Sequence, residues 1–210
     1  MTYAVKECFL TLQGEGVQAG SRAVFLRFAG CNLWTGREQD RAAAQCNFCD
    51  TDFVGTDGEG GGKFQSADDL ASRVEALWGG DPDHRLVVIT GGEPMLQLDE
   101  ALVEALHARG FRVAVETNGT LPAVAGLDWI CVSPKAGTDV VQRKGDELKL
   151  VWPQKGIDPA ELEQWDFHHF LVQPMDCAER RQALDAAITL AMERPKWRLT
   201  LQAHKVVGLP

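Results

Sequence analysis

Long apolar runs are missing from this chain: nothing reaches the ~18 consecutive residues of a membrane-spanning helix, so no span and no membrane partner are expected. The opening residues, M-T-Y-A-V-K-E-C-F-L-T-L-Q-G-E-G, lack a basic segment followed by an apolar one, so no secretory signal is expected and the reading is a cytoplasmic protein. Basic residues are in the minority, 21 against 30 acidic, for a net charge of −9. Nucleic-acid binding usually shows as a basic face, and none is expected here. Internal repeats are absent too, and the one biased stretch is the flexible glycine loop at residues 55–62. With 210 residues, 45% of them hydrophobic, a single domain with an ordinary core is expected over residues 1–210.

Cysteine is scarce, with six in all. In a reducing compartment these signify metal binding or packing rather than disulfides. Cys8, Cys131 and Cys177 stand in apolar or turn contexts and read as small buried hydrophobes. Cys31, Cys46 and Cys49 instead form C-x14-C-x2-C, with no fourth cysteine nearby. A closed structural zinc site wants four ligands, for which His84, His107, His168, His169 or His204 are candidates. A [4Fe–4S] cluster on three cysteines leaves one iron open, where chemistry can occur. The spacing alone leaves both readings open.

Apolar runs predict strands at residues 23–28, 85–90, 112–116, 129–133, 147–152, 170–173 and 197–201. Between them, Ser66 caps a helix carrying Leu70, Val74, Leu77 and Trp78, and Leu98, Leu102 and Leu106 mark a second that Gly110 stops. A short helix starts at Asp158-Pro159, and a long one covers 178–194. Strands alternating with helices or long crossovers predict a parallel α/β fold. Ligands of such folds bind at the C-terminal strand ends, where Glu93, Glu116, Asn118, Lys135, Gln173 and Asp176 all fall, as does Cys31. Gly91-Gly92-Glu93-Pro94 directly follows a buried strand, where glycines admit close backbone approach to a ligand and a carboxylate can accept from an ammonium group. Arg27, the lone charge of its strand, is either paired or aimed at a ligand; a guanidinium fork suits a carboxylate.

The three cysteines, Phe48 before the last of them, and Gly91 to Pro94 together resemble the radical S-adenosylmethionine (SAM) superfamily. The departure is the long cysteine spacing, which makes residues 32–45 an insert in the cluster loop where the usual pattern has three residues. Thr11-Leu12-Gln13-Gly14-Glu15-Gly16, Phe25 to Phe28, Cys31-Asn32-Leu33, Cys49-Asp50-Thr51, Glu116 to Gly119, Ser133 to Lys135, Gln173 to Asp176 and His204-Lys205 extend the match over the whole chain, to the 7-carboxy-7-deazaguanine synthase family.

That resemblance implies a trimmed parallel β/α barrel, a homodimer, and a [4Fe–4S] cluster, SAM and Mg²⁺ as cofactors. The implied reaction converts 6-carboxy-5,6,7,8-tetrahydropterin to 7-carboxy-7-deazaguanine by radical ring contraction with loss of ammonia, in queuosine precursor biosynthesis, with a reductase or flavodoxin-type protein as electron donor. Cys31, Cys46 and Cys49 would hold the cluster and Thr51 the magnesium. SAM would meet Asn47, Phe48, Asp50, Gly92, Glu93, Ser133, Pro134, Lys135, Gln173, Pro174, Met175 and Asp176. The pterin would meet Leu12, Gln13, Gly14, Glu15, Arg27, Thr90 and the carboxylate of Pro210, with Glu116 and His204 as catalytic candidates. Two other readings stand beside this one. One is a radical SAM activating enzyme that makes a glycyl radical on a partner protein; the other is a Cys3His zinc module.

Overall fold

The computed structural model describes residues 2–209; the Pro210 carboxylate expected at the substrate lies outside them. The chain opens on a long strand, β1 (Tyr3–Leu12), which pairs antiparallel with β2 (Arg22–Phe28) and with β3 (Gly62–Phe64). From β2 onward the sheet is parallel: β4 (Leu86–Gly91), β5 (Arg112–Thr117), β6 (Trp129–Val132), β7 (Lys144–Trp152), β8 (Asp166–Pro174) and β9 (Trp197–Leu199) follow in spatial order. The expected parallel α/β architecture is present. β1 was not expected, because a register shift between Val5 and Glu7 breaks its alternation and puts two charges mid-strand. Both are paired: Lys6 with Asp52 and Asp57 at 2.8 and 2.9 Å, and Glu7 with Arg27 at 2.6 Å.

Helix α1 (Ala67–Trp78) leads into β4, with Ser66 Oγ accepting from the Asp69 amide as its cap. The helix α2 (Glu100–His107) joins β4 to β5. No helix occupies the β5–β6 or β6–β7 connections, so the barrel is trimmed on that side. Short α3 (Pro159–Leu162) and the longer α4 (Arg180–Glu193) complete the outer layer, and α5 (Ala203–Val207) follows β9.

Two outer cores hold this layer. Leu70, Val74 and Trp78 of α1 and Leu102 and Leu106 of α2 bury against Leu26, Phe28, Ile89 and Val113. On the other side Ala187 and Leu190 of α4 bury against Leu148, Leu150 and Val172. Each fully enclosed Leu or Phe contributes about 2 kcal/mol.

Alternation sends the intervening side chains to the inner face. There Ala23, Leu86, Val88 and Ala114 form a small apolar plug near the strand starts. Further along the same face the residues turn polar: Arg27, Thr90, Glu116, Lys149 and Gln173 line a cavity. The sheet curls until its opposite sides meet over it. The Ala203 amide donates to Gly14 O at 2.8 Å, the Gly16 amide to Thr200 Oγ1 at 2.9 Å, and the Val17 amide to Glu147 Oε2 at 3.0 Å.

The insert has a fold of its own. Its centre is a 3₁₀ turn over Glu38–Ala43. Arg41 lies 4.1 Å over the Trp34 ring, and Trp34 stands edge-on to buried Phe53 at 5.6 Å. From there Arg41 donates to the carbonyls of Asn47 and Cys49 at 3.1 and 3.0 Å. Arg41→Ala should therefore loosen the Cys46–Cys49 turn by about 1–2 kcal/mol. The expected result is several-fold faster amide exchange across residues 46–49, with the far-UV spectrum unchanged; unchanged exchange would assign Arg41 to the surface alone.

Candidate active site

The cavity under the curled sheet has a volume of about 390 Å³, within the ~300–1,000 Å³ of ordinary ligand pockets. One end is sulfur-rich. Cys46 and Cys49 line it, and the Cys46 thiol donates to the Cys49 sulfur, which draws Cys49 down to about 6 and pushes Cys46 up. Cys31, just past β2, sits beside the wall, its sulfur accepting the Leu33 amide at 3.4 Å; burial raises its thiol. A Cβ on Gly92 would lie 2.5 Å from that of Cys31, so glycine lets the end of β4 abut the cysteine.

Among the described residues, no three His, Cys, Asp or Glu side chains converge as ligands of a single ion. A cubane differs, because each cysteine holds a separate iron. The histidines proposed to complete a zinc site are placed elsewhere. His107 and His168 face Asp128 and Asp146, His169 stacks on Trp129, His84 lies in an exposed loop, and the His204 ring packs against Gly14.

Beside the cysteines, Phe48, Asp50, Thr51, Gly92, Ser133, Lys135, Gln173, Pro174 and Asp176 line the cavity. The Lys135 ammonium donates to Ser133 O and Oγ at 2.9 and 2.7 Å and lies 5.9 Å over the Phe48 ring, rather than extending into solvent as a strand-end lysine would. Gln173 Oε1 is buried without a partner, an acceptor open to a ligand donor. These residues come from the segments that the sequence resemblance assigns to SAM.

Asn47, Pro134 and Met175 flank that wall without lining it. Glu93 is fully enclosed and does not line it either. Its carboxylate accepts from the Met95 amide at 2.9 Å, Thr117 Oγ1 at 2.7 Å and the Asn118 amide at 2.8 Å. It thereby ties the end of β4 to that of β5 and sets the backbone of Gly92, instead of presenting an open carboxylate.

The opposite end is charged. Leu12, Gln13, Gly14, Glu15, Arg27, Thr90, Glu116 and His204 meet there. A Cβ on Gly14 would collide with the His204 ring, so this glycine admits α5 to the pocket. Several lining residues were not foreseen: Glu7, Phe9, Phe25, Asp52, Lys149, Gln202 and Lys205. Phe25 was within reach, since it shares a strand face with Arg27. Glu7 holds Arg27 Nε, which leaves the rest of the guanidinium for a ligand. Lys149 bridges Glu15 and Glu116 at 2.5 and 2.9 Å. Lys205 of α5, one of these lining residues, grips Asp50 and Asp176, both at 2.6 Å.

Comparison with known proteins identifies the family. The Radical SAM superfamily pattern matches residues 39–148. The chain is 64% identical to the 7-carboxy-7-deazaguanine synthase of Caulobacter vibrioides and 59% identical to that of Burkholderia multivorans, over 100% of both chains in each case. The synthase of Bacteroides thetaiotaomicron is 36% identical, again over 100% of each chain. Among solved structures, that of QueE from Escherichia coli superposes with a TM-score of 0.71 at 26% identity, covering 97% of this chain and 95% of that one. The chain therefore belongs to the radical SAM superfamily and, within it, to the 7-carboxy-7-deazaguanine synthase family.

Proposed function

We propose that this chain converts 6-carboxy-5,6,7,8-tetrahydropterin to 7-carboxy-7-deazaguanine by radical ring contraction with loss of ammonia, SAM being regenerated. The supporting observation is one cavity with a thiol end and a charged end, spanned by the consecutive residues Thr90, Gly91 and Gly92. Cys31, Cys46 and Cys49 would hold the cluster, which with SAM would supply the hydrogen-abstracting chemistry.

The chain's own residues bind, orient and enclose. Arg27, fixed by Glu7, offers its remaining N–H groups to the pterin carboxylate as a bidentate pair. Glu15 and Glu116 are acceptors for the amino and ring N–H groups of the pyrimidinone edge, and His204 closes the same side. Lys205 holds Asp50 and Asp176 together beside the cofactor wall. A cavity of about 390 Å³ suits a small molecule better than the polypeptide loop of a glycyl-radical partner.

The homodimer, the flavodoxin-type electron donor and Mg²⁺ are part of the same proposal. Thr51 lines the cavity between Asp50 and Asp52, an oxygen-rich corner of the kind Mg²⁺ accepts while keeping several waters. Thr51→Ala should flatten the activation of turnover by magnesium; an unchanged titration would remove Thr51 as a ligand.

The test of the whole reading is an anaerobic assay of cluster-loaded protein with SAM, magnesium, reductant and the pterin. 7-Carboxy-7-deazaguanine without matching SAM consumption is expected. 5′-Deoxyadenosine with no deazaguanine would overturn the substrate while keeping the radical class.

A further inference from the structure

Lys149 is the most enclosed cation of the cavity, its side chain 4% exposed. It stands on β7 between Leu148 and Leu150, both fully buried on the opposite face. Its ammonium has three protons. Two go to Glu15 Oε2, from the loop after β1, and Glu116 Oε2, from β5. The other oxygens are held as well: Glu15 Oε1 by Gln202 Nε2 at 2.9 Å and Glu116 Oε1 by Gln13 Nε2 at 2.8 Å.

Two carboxylates brought this close would repel one another and rotate apart without a cation between them. One cation at the centre, with an amide outside each, fixes both orientations. The substrate pocket thus has its acceptors set before any ligand arrives.

We propose that Lys149 is a positioning residue of the substrate pocket, bracing Glu15 and Glu116 as a paired acceptor for the N–H edge of a 2-amino-4-oxopyrimidine ring. This rests on the pterin reading above. Other purine-like or pterin-like rings with that edge would bind through the same pair.

Surrounding charges bear on its pH behaviour. Glu147 of β7, Cys131 of β6, Lys135 beyond β6 and His204 of α5 all act on this group. Burial alone would raise Glu15; Lys149, with smaller help from Gln202 and His204, reverses this and holds it low. Glu147 itself is raised by burial. Removing the lysine leaves burial in command, so Glu15 protonates at higher pH than in the wild type and loses its acceptor earlier as pH falls. In the wild type that loss comes only at distinctly acid pH.

The experiment compares wild type with Lys149→Met. The expected result is a KM for the pterin at least ~10-fold higher, with kcat less affected. That KM should begin to rise at a higher pH than the wild type's as pH is lowered, and SAM binding should be unchanged. A wild-type KM with the wild type's pH profile would overturn the proposal, and so would a loss in kcat alone, which would make Lys149 a direct participant. If Lys149→Met does not fold, Glu15→Gln with Lys149→Met relieves the repulsion. It should still bind the pterin several-fold more weakly than Glu15→Gln alone, and equal affinities would overturn the proposal. Failure of the wild type to turn over the pterin would sink the substrate reading instead, which keeps the two failures apart.

Discussion

Cys49→Ala is expected to lose nearly all of its cluster and all turnover. Of the three thiols, Cys49 is drawn lowest, to about 6, because Cys46 donates to it. It is the first to be a thiolate near neutral pH, and the thiolate is the ligand. Its carbonyl is held by Arg41, so sulfur and backbone are both set before metal arrives. Even partners behind a ligand are commonly worth about 10–100-fold in metal affinity, and a ligand itself is worth more. Iron and acid-labile sulfide after reconstitution, with the visible charge-transfer absorbance, measure the loss directly. A variant that kept wild-type iron and sulfide would move the cluster away from Cys49.

Arg27→Gln should act at the other end of the cavity without touching the first. Its guanidinium is the one cation there that Glu7 only partly neutralises, since Glu7 takes Nε alone. Glutamine keeps some hydrogen bonding but no charge. Truncating a buried charged pair costs about 2–5 kcal/mol, so the pterin KM should rise about a hundredfold or more. Cluster content and SAM binding should remain at wild-type levels. If Arg27→Gln changed SAM affinity and left the pterin KM alone, the two ends of the pocket would have to be exchanged.

The sulfur end was legible because its signal is local. Cys46-x-x-Cys49 and Gly91-Gly92 announce their chemistry within a few residues. The charged end is assembled from residues far apart in the chain, and there legibility depended on strand faces. Arg27 stood out as a lone charge. Lys149 did not, although E-L-K-L-V-W puts Glu147, Lys149 and Val151 on one face and leucines on the other. Its apolar half was read as an ordinary strand, and a buried lysine makes sense only once Glu15 and Glu116 stand beside it. Glu93 shows the opposite case: a carboxylate in a ligand motif whose oxygens the fold itself uses. β1 was hidden by its own irregularity, since Lys6 and Glu7 find partners only in segments that follow.

The stitches between residues 14–17 and residues 147, 200 and 203 carry a consequence for biogenesis. Contacts this distant along the chain are slow to form. Lys205, which holds Asp50 beside Cys49, follows that aspartate by 155 residues, so the three thiols are synthesised well before the side chain that ties their loop down. Until Lys205 arrives the sulfur loop has one tether fewer. Iron delivered in that interval meets a looser loop than iron delivered after folding, so metal loading and folding compete in time.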